Sequence, residues 1–209
     1  MVEMTMKIVR PDWSREMEIK TWSLGTKLGM ILIQSPARDK GTTFLKIEKE
    51  IWNWVPSIER TIKLPPSMMM QSWMGSDFTN DDLVKESSII NDYEHNLLGS
   101  ETLDGNECWK IELVPKPDAS VVWGKILTWV SKDEYNTMKS EMYDEDGYLI
   151  NVLTASNVVN LGGKMLPSRL EVIPIEEPGN KTIMEYRSID FDVEVKESFF
   201  STQNMKRVR

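Results

Sequence analysis

Apolar and polar residues alternate along most of the chain with a period of two, which is the spacing of a β-strand. Residues 2–9 alternate without interruption and predict a strand with one buried face and one exposed face. Residues 28–33 are apolar at nearly every position and predict a central strand that is covered on both faces. In residues 15–24 the alternation changes phase between Ile19 and Trp22, which indicates either a bulge near Thr21 or an aromatic side chain on the second face.

Turn signals separate further alternating segments as far as residue 193. Pro56-Ser57 lies between residues 51–55 and 58–64 and suits a tight hairpin, while Asp146-Gly147 is the strongest hairpin signal in the chain. In all we expect roughly ten or eleven antiparallel strands, and a sheet of that size must curl to bury its apolar face. No repeat and no low-complexity linker divides the chain, so residues 1–209 are predicted to form a single domain.

The alternation stops after Pro65-Pro66 and resumes with residues 89–98. Ser67 is placed to cap a short helix over residues 68–74, and Thr79 with Asp82 three residues later resembles the capping box of a second helix. The sequence therefore predicts a mainly β (α+β) protein whose sheet is interrupted by a helical insertion at about residues 66–87.

Charge and composition exclude several classes of function. The chain has 25 basic and 33 acidic residues, a formal charge of −8, and its basic residues are scattered, which argues against a nucleic-acid groove or attraction to an anionic membrane surface. No apolar run approaches the roughly 20 residues of a membrane span. Cys108 is the only cysteine, so an internal disulfide is excluded.

Catalytic residues are also scarce. The single histidine, His95, lies in a polar strand segment, and no G-x-S-x-G motif of a nucleophile elbow occurs. Asp77, Asp81 and Asp82 could gather around a metal ion, but acidic residues at the start of a helix are ordinarily explained by the helix dipole alone. We therefore expect a binding protein without a metal or other cofactor rather than an enzyme.

Large apolar side chains are the remaining candidates for function. The chain contains eight tryptophans and fourteen methionines, and the tryptophans are distributed over most of the predicted sheet. Two interpretations remain open at this point. Either the core is simply rich in large residues, or a curved sheet leaves a hollow lined by rigid indoles and pliable thioethers that accepts apolar ligands.

One stretch resembles the signature of the LolA-like outer-membrane lipoprotein-sorting family: QSWMGSDFTNDDL at residues 71–83. The similarity extends to KGTTFLK at 40–46, IWNWVP at 51–56, WVSK at 129–132 and FFS at 199–201, and so spans nearly the whole chain. The resemblance implies an open half-barrel of antiparallel strands whose concave apolar face is lidded by short helices. The family's signal sequence and N-terminal helix precede the first strand, and we expect both to be missing from this chain because residues 2–9 already predict a strand.

The same resemblance implies a periplasmic or cell-envelope carrier of lipoprotein acyl chains or other lipids, with donor and acceptor proteins as possible partners. The alternative is a protein-interaction or envelope-stress sensor module whose barrel is filled by its own side chains. For the carrier, the candidate residues of the apolar cavity and its lid are Trp22, Met30, Leu32, Trp52, Trp54, Met69, Met70, Trp73, Met74, Trp109 and Trp129.

Overall fold

The computed structural model describes residues 1–82, 88–119 and 121–208, and in them a single antiparallel sheet of thirteen strands. The sheet is curved and open, as the sequence predicts, although it has more strands than the ten or eleven expected. The strands are β1 Val2–Val9, β2 Ser14–Leu24, β3 Leu28–Ser35, β4 Thr43–Ile47, β5 Glu50–Val55, β6 Arg60–Lys63, β7 Tyr93–Leu103, β8 Asn106–Pro115, β9 Lys125–Ser131, β10 Thr137–Tyr143, β11 Leu149–Leu161, β12 Lys164–Pro174 and β13 Lys181–Ile189.

The order of the strands places the two ends of the sheet far apart. The spatial order runs from β6 back to β1, across to β13 and then back to β7, so β1 and β13 pair at the centre. β6 and β7 follow each other in sequence yet form the two opposite edges of the sheet. The chain therefore passes from one edge to the other between residues 64 and 92, and the described residues of this crossing segment, 64–82 and 88–92, contribute to the open side of the half-barrel.

The alternation predicted for the first strand is present in the structure. Met4, Met6 and Ile8 of β1 are buried in one cluster with Met17 and Ile19 of β2. Side chains from both halves of the sheet, including Met4 of β1 and Met142 of β10, face one common cavity. We call this side of the sheet the concave face and the opposite side the convex face.

The change of phase in β2 comes from an aromatic side chain on the second face and not from a bulge near Thr21. The β2–β3 register shifts by one residue between Glu18 and Ile19, so an irregularity exists, but it lies before Thr21. Trp22 then points to the second face, where its ring packs against that of Phe199 at a centroid distance of 5.5 Å. The aromatic on the second face therefore accounts for the change of phase.

The connecting segment contains less helix than the sequence predicts. A 3₁₀ turn covers Pro66–Met68, and hydrogen-bonded turns rather than a helix follow it through Met74. Thr79 and Asp82 do form reciprocal capping contacts, at 2.7 and 3.2 Å, but most of the helix predicted after them lies outside the described residues. The strand predicted for residues 89–98 begins instead with a one-turn helix, α1 Ser88–Asn91, before β7.

The C-terminal segment, residues 190–208, covers the convex face of β2–β5. It contains two 3₁₀ turns, Glu197–Phe199 and Asn204–Lys206, and inserts Phe200 and Met205 between buried Met30 and Leu45. Its backbone is fastened to the sheet where the hydroxyl of Thr43 donates to the Met205 carbonyl at 3.0 Å. Burial on both faces explains why residues 28–33 are apolar at nearly every position.

Candidate functional site

A cavity of about 620 Å³ lies between the concave face and the segment that crosses it. This volume falls within the roughly 300–1,000 Å³ that is typical of small-molecule sites. The sheet contributes apolar side chains from both of its halves, and the crossing segment contributes aromatic ones. The walls of the cavity include Ile19, Phe44, Tyr93, Ile126, Met142, Leu153 and Met184 from the sheet, and Trp73, Phe78 and Ile89 from the crossing segment.

Residues 68–82 of the crossing segment form a tightly hydrogen-bonded loop, which we call the lid loop. The amide of Trp73 donates to the Phe78 carbonyl at 2.7 Å, and the hydroxyl of Ser76 donates to the Trp73 carbonyl at 2.7 Å. The turn is possible because Gly75 adopts a positive φ of 78°. The hydrogen bonds within this motif therefore hold the turn that places Trp73 and Phe78 in the wall of the cavity.

Polar contacts tether the lid loop to the rim of the sheet. The carboxylate of Asp77 forms an ion pair with Arg10 at 3.0 Å and accepts a hydrogen bond from the Thr182 hydroxyl at 2.6 Å. Arg10 also donates to the Gly75 carbonyl at 2.9 Å, and Arg15 donates to the carbonyl of Met74. These contacts connect the loop to β2, to β13 and to the end of β1.

Trp73 is the most deeply buried side chain of the lid loop. It is 3% exposed and packs edge-on against Phe44 of β4, with the ring centroids 5.6 Å apart. Within the described part of the chain, its indole N–H has no hydrogen-bond acceptor. A buried donor without an acceptor costs about 1–3 kcal/mol. The side chain of Trp73 is therefore held in place by apolar packing, while its backbone is held by the hydrogen bonds of the loop.

The lid side of the cavity is acidic. Asp77, Asp81 and Asp82 all contribute to its wall, and Lys46 of β4 contributes a cation. The phenol of Tyr93 donates to the Trp123 carbonyl at 3.2 Å. Burial of the ring, followed by the nearby charge of Asp81, raises the pKa of Tyr93 to about 12. Among the described residues no three His, Cys, Asp or Glu side chains are grouped as metal ligands.

The register of strands β2–β5 places five of the sequence-predicted residues on the convex face. Trp22 pairs with Met30, Met30 with Leu45, and Leu45 with Trp52, so this cross-strand row shares one face. The row packs against the C-terminal segment rather than under the lid loop. Only the end of the row near the β2–β3 hairpin also reaches the cavity, through Trp22 and Met30. The five residues are Trp22, Met30, Leu32, Trp52 and Trp54.

The lid candidates Met69, Trp73 and Met74 come together at the concave face. All three pack against the cluster that contains Met6, Ile19 and Phe44. Met70 points away and is 58% exposed. The sequence therefore predicts the location of the lid but not which methionine faces inward, because turns replace the regular helix that the prediction assumed.

The two remaining candidates lie away from the cavity, in β8 and β9. Trp109 is partly exposed and covered by the ammonium of Lys132, 4.3 Å from its ring centroid. Trp129 is buried on the convex face between Lys110 and Lys139, and its indole N–H donates to Glu101 at 2.7 Å. The hydrogen bonds from Lys110 and then Trp129 lower the pKa of Glu101.

Most of the cavity wall consists of ordinary strand residues that sequence reasoning does not single out. Ile126, Met142, Leu153, Leu170 and Met184 line it from the C-terminal half of the sheet. Their positions follow the alternation of each strand, but alternation alone does not say which face is concave. If the pairing of β1 with β13 were known, Met184 could be assigned to the concave face, because it lies opposite Met6, which is buried on that face.

The curved, open antiparallel sheet and the lidded apolar cavity define a half-barrel. Three solved structures share this fold over nearly the whole chain. A DUF1329 family protein from Desulfovibrio piger has a TM-score of 0.89 at 22% identity, covering 98% of this chain and 90% of its own. A domain from Vibrio parahaemolyticus assigned to outer membrane lipoprotein sorting has a TM-score of 0.84 at 22% identity, covering 99% and 90%. A LolA superfamily protein from Nitrosomonas europaea has a TM-score of 0.81 at 23% identity, covering 97% and 89%.

These likenesses confirm the resemblance seen in the sequence at the level of the fold. Residues 25–207 match the model of a family described as "uncharacterized protein"-like, and the chain belongs to this family. Among curated proteins none matches the sequence significantly. In the part of the chain that the structure describes, no helix is both long and apolar enough to cross a membrane.

Proposed function

We propose that this protein is a non-enzymatic binder or carrier of lipid acyl chains, which it holds in the cavity under the lid loop. The observation that carries the proposal is the cavity itself, about 620 Å³ in volume and walled by apolar side chains from both halves of the sheet. The lipoprotein-sorting and LolA superfamily structures with the same fold support the same conclusion. Location in the cell envelope and exchange of cargo with donor and acceptor proteins belong to this proposal.

The free energy gained by burying an acyl chain suits a carrier that covers only part of the chain. Each methylene group that leaves water contributes roughly 0.8 kcal/mol, so a fully buried sixteen-carbon chain would gain on the order of 12 kcal/mol before ordering costs. Such a gain would make release slow. Opening of the lid loop would ease release, and it would require the ion pair between Arg10 and Asp77 and the packing of Trp73 against Phe44 to break.

The alternative, an interaction module with a self-filled barrel, requires a densely packed interior. The C-terminal segment fills the convex side in that way, with Phe200 and Met205 buried against Met30 and Leu45. On the concave side the lid loop fills only part of the space, where Trp73 packs against Phe44, and a cavity of about 620 Å³ remains beside it. The cavity therefore favours the carrier.

Native mass spectrometry of protein purified without detergent tests the proposal directly. We expect an acyl-containing species to co-purify or to bind when 1-monopalmitoylglycerol is added. Leu153→Trp, which places an indole in the cavity, should reduce binding at least tenfold. The matched control is Val158→Trp on the same strand, because Val158 is exposed and does not line the cavity.

Two results would overturn the proposal. The first is that no acyl species co-purifies and none binds on addition. The second is that Leu153→Trp and Val158→Trp bind the added lipid equally well while both remain folded.

A further inference from the structure

We propose that an acyl lipid lies in the cavity in one orientation, with its polar head group at the β2–β3 hairpin and the methyl end of its chain near residues 121–126. This inference rests on the proposed function and deepens it, because it assigns an entrance and a head-group subsite to the same cavity. It comes from the path of the cavity across the sheet and from the different side chains at its two ends.

The cavity runs obliquely across the strands, from the β2–β3 hairpin to the start of β9. Its wall includes Ser23, Gly25 and Thr26 at the hairpin, and Trp123 and Ile126 at the other end. Six strand-to-strand steps separate β2 from β9, or about 29 Å along the curved sheet at roughly 4.8 Å per step. A lipid that follows the cavity therefore places only one of its two ends at the hairpin.

The hairpin end of the cavity is open to solvent. Ser23, Gly25 and Thr26 are exposed, and all three line the cavity. A Cβ atom placed on Gly25 would lie in open space. A residue that is exposed and also lines a cavity marks a place where the cavity reaches the surface, so the hairpin is an entrance.

The lid loop is tethered away from this entrance. Thr182, which donates to Asp77 of the lid loop, pairs with Ile8 near the end of β1. Thr21 of the hairpin strand pairs with Val2 at the opposite end of β1. The polar tethers of the lid loop therefore do not obstruct the hairpin end of the cavity.

Hydroxyl groups line the entrance. Thr21 and Ser23 follow buried Ile19 at intervals of two in β2 and so share its concave face, and Thr26 follows in the turn. A hydroxyl both donates and accepts hydrogen bonds, which suits the ester carbonyl and the free hydroxyls of a glycerol head group. The entrance therefore provides partners for a polar head group that lies half in solvent.

Apolar side chains line the other end of the cavity. Ile126 is 5% exposed and forms a buried cluster with Tyr93, against which Val121, Trp123 and Met142 pack. All five residues contribute to the cavity wall. Methylene groups gain free energy when they leave water, whereas a polar group loses free energy there unless it finds a hydrogen-bond partner. This end therefore favours the acyl chain over the head group.

The polar groups near the apolar end are already engaged. The phenol of Tyr93 donates to the Trp123 carbonyl at 3.2 Å. Asp81 and Asp82 of the lid loop also contribute to the wall, and both have interaction partners within the protein. A head group placed there would compete with existing contacts, whereas at the hairpin it would replace only water.

Photocrosslinking to the wild-type protein tests the orientation. Two forms of 1-monopalmitoylglycerol are compared, one with a diazirine near the methyl end of the chain and one with a diazirine on the glycerol. Mass spectrometry then identifies the labelled tryptic peptides. We expect the glycerol probe to label residues 21–27 and the methyl-end probe to label residues 111–125 or 126–132. Reversed labelling, or equal labelling of both regions by both probes, would overturn the inference.

A bulky side chain at the hairpin tests the entrance. Thr26→Trp should slow the association of 1-parinaroylglycerol at least tenfold, measured by stopped-flow fluorescence of the conjugated acyl chain. The matched control is Thr102→Trp, because Thr102 is also exposed but does not line the cavity. Equal association rates in the two variants would contradict an entrance at the hairpin.

Removal of the hydroxyls tests the head-group subsite. The triple variant Thr21→Val, Ser23→Ala and Thr26→Val should lose severalfold in affinity for 1-monopalmitoylglycerol, with no comparable loss for hexadecane delivered from cyclodextrin. Equal losses for the two ligands would mean that these residues only shape the entrance, and the subsite would be wrong. Failure of the proposed function is distinguishable, because in that case neither ligand binds to the wild-type protein.

Discussion

Strands β2–β5 carry apolar side chains on both faces, and the two faces are covered in different ways. On the convex face the C-terminal segment inserts Phe200 and Met205 into the apolar row and fills it. On the concave face the lid loop packs Trp73 against Phe44 and is tethered at the rim by Arg10 and Thr182, and it leaves a cavity of about 620 Å³ beside it. The comparison teaches that similar apolar residues make a core or a site depending on the segment that lies over them.

The largest expected effect comes from the filled face. Phe200→Ala removes a ring that is 5% exposed and should lower the free energy of unfolding by about 3–5 kcal/mol, because the neighbouring side chains can only partly close the gap. Urea unfolding measures the loss. Lipid binding below the melting temperature should not change. Phe191→Ala, at a ring that is 49% exposed, is the control and should cost far less.

The tether of the lid loop should have the next largest effect. Asp77→Ala breaks the ion pair with Arg10 and the hydrogen bond from Thr182, and leaves a mostly buried guanidinium unpaired, at a cost of about 3 kcal/mol. Hydrogen exchange should accelerate in residues 72–80, and bound lipid should dissociate faster. If exchange accelerated equally in β4, the loop would be an integral part of the core and not a movable lid.

Two threonines provide a matched pair, one for each face. Thr43 and Thr182 are both fully buried; Thr43 donates to the C-terminal segment and Thr182 to the lid loop. Thr43→Val should cost about 1 kcal/mol, as expected for one lost hydrogen bond, whereas Thr182→Val should cost more, because its hydroxyl also accepts a hydrogen bond from the Asp77 amide at 2.9 Å. Only Thr182→Val should increase the rate of lipid dissociation, measured by stopped-flow transfer to vesicles. If lipid dissociated at the same rate from both variants, the lid loop would have no closer connection with the bound lipid than the C-terminal segment has.

The smallest effect concerns Trp129 of β9, which lies outside the apolar cluster that the C-terminal segment covers. Its hydrogen bond and that of Lys110 hold the pKa of Glu101 below its ordinary value of 4.5. The stabilisation is present above the pKa of the unfolded state and is lost as the pH falls through the lower folded-state pKa. Glu101→Gln should therefore reduce the difference between urea midpoints at pH 7 and pH 3, without altering lipid binding. An unchanged difference would contradict this assignment.

Much of the fold could be predicted from local pattern. The alternation in residues 2–9 is the alternation of β1, and the double-sided apolar pattern of residues 28–33 follows from burial on both faces. The lid was harder to predict. Met68 to Met74 contains good helix-forming residues, yet the chain must turn at Met74 and Gly75, where φ is positive, to bring Trp73 under the loop. Tertiary contacts with Arg10 and Arg15 therefore overrode local propensity.

The sequence by itself determined that the protein is a large antiparallel sheet with abundant apolar surface, because a period of two is a property of each strand alone. It did not determine which apolar face would remain hollow. One decisive contact is the pairing of β1 with β13, which joins the two halves of the sheet around one cavity. The other is the packing of residues 190–208 on the convex face, where they cover Trp22, Trp52 and Trp54. Both are contacts between residues distant in sequence, and no local pattern encodes which of two equally apolar faces such a contact will cover.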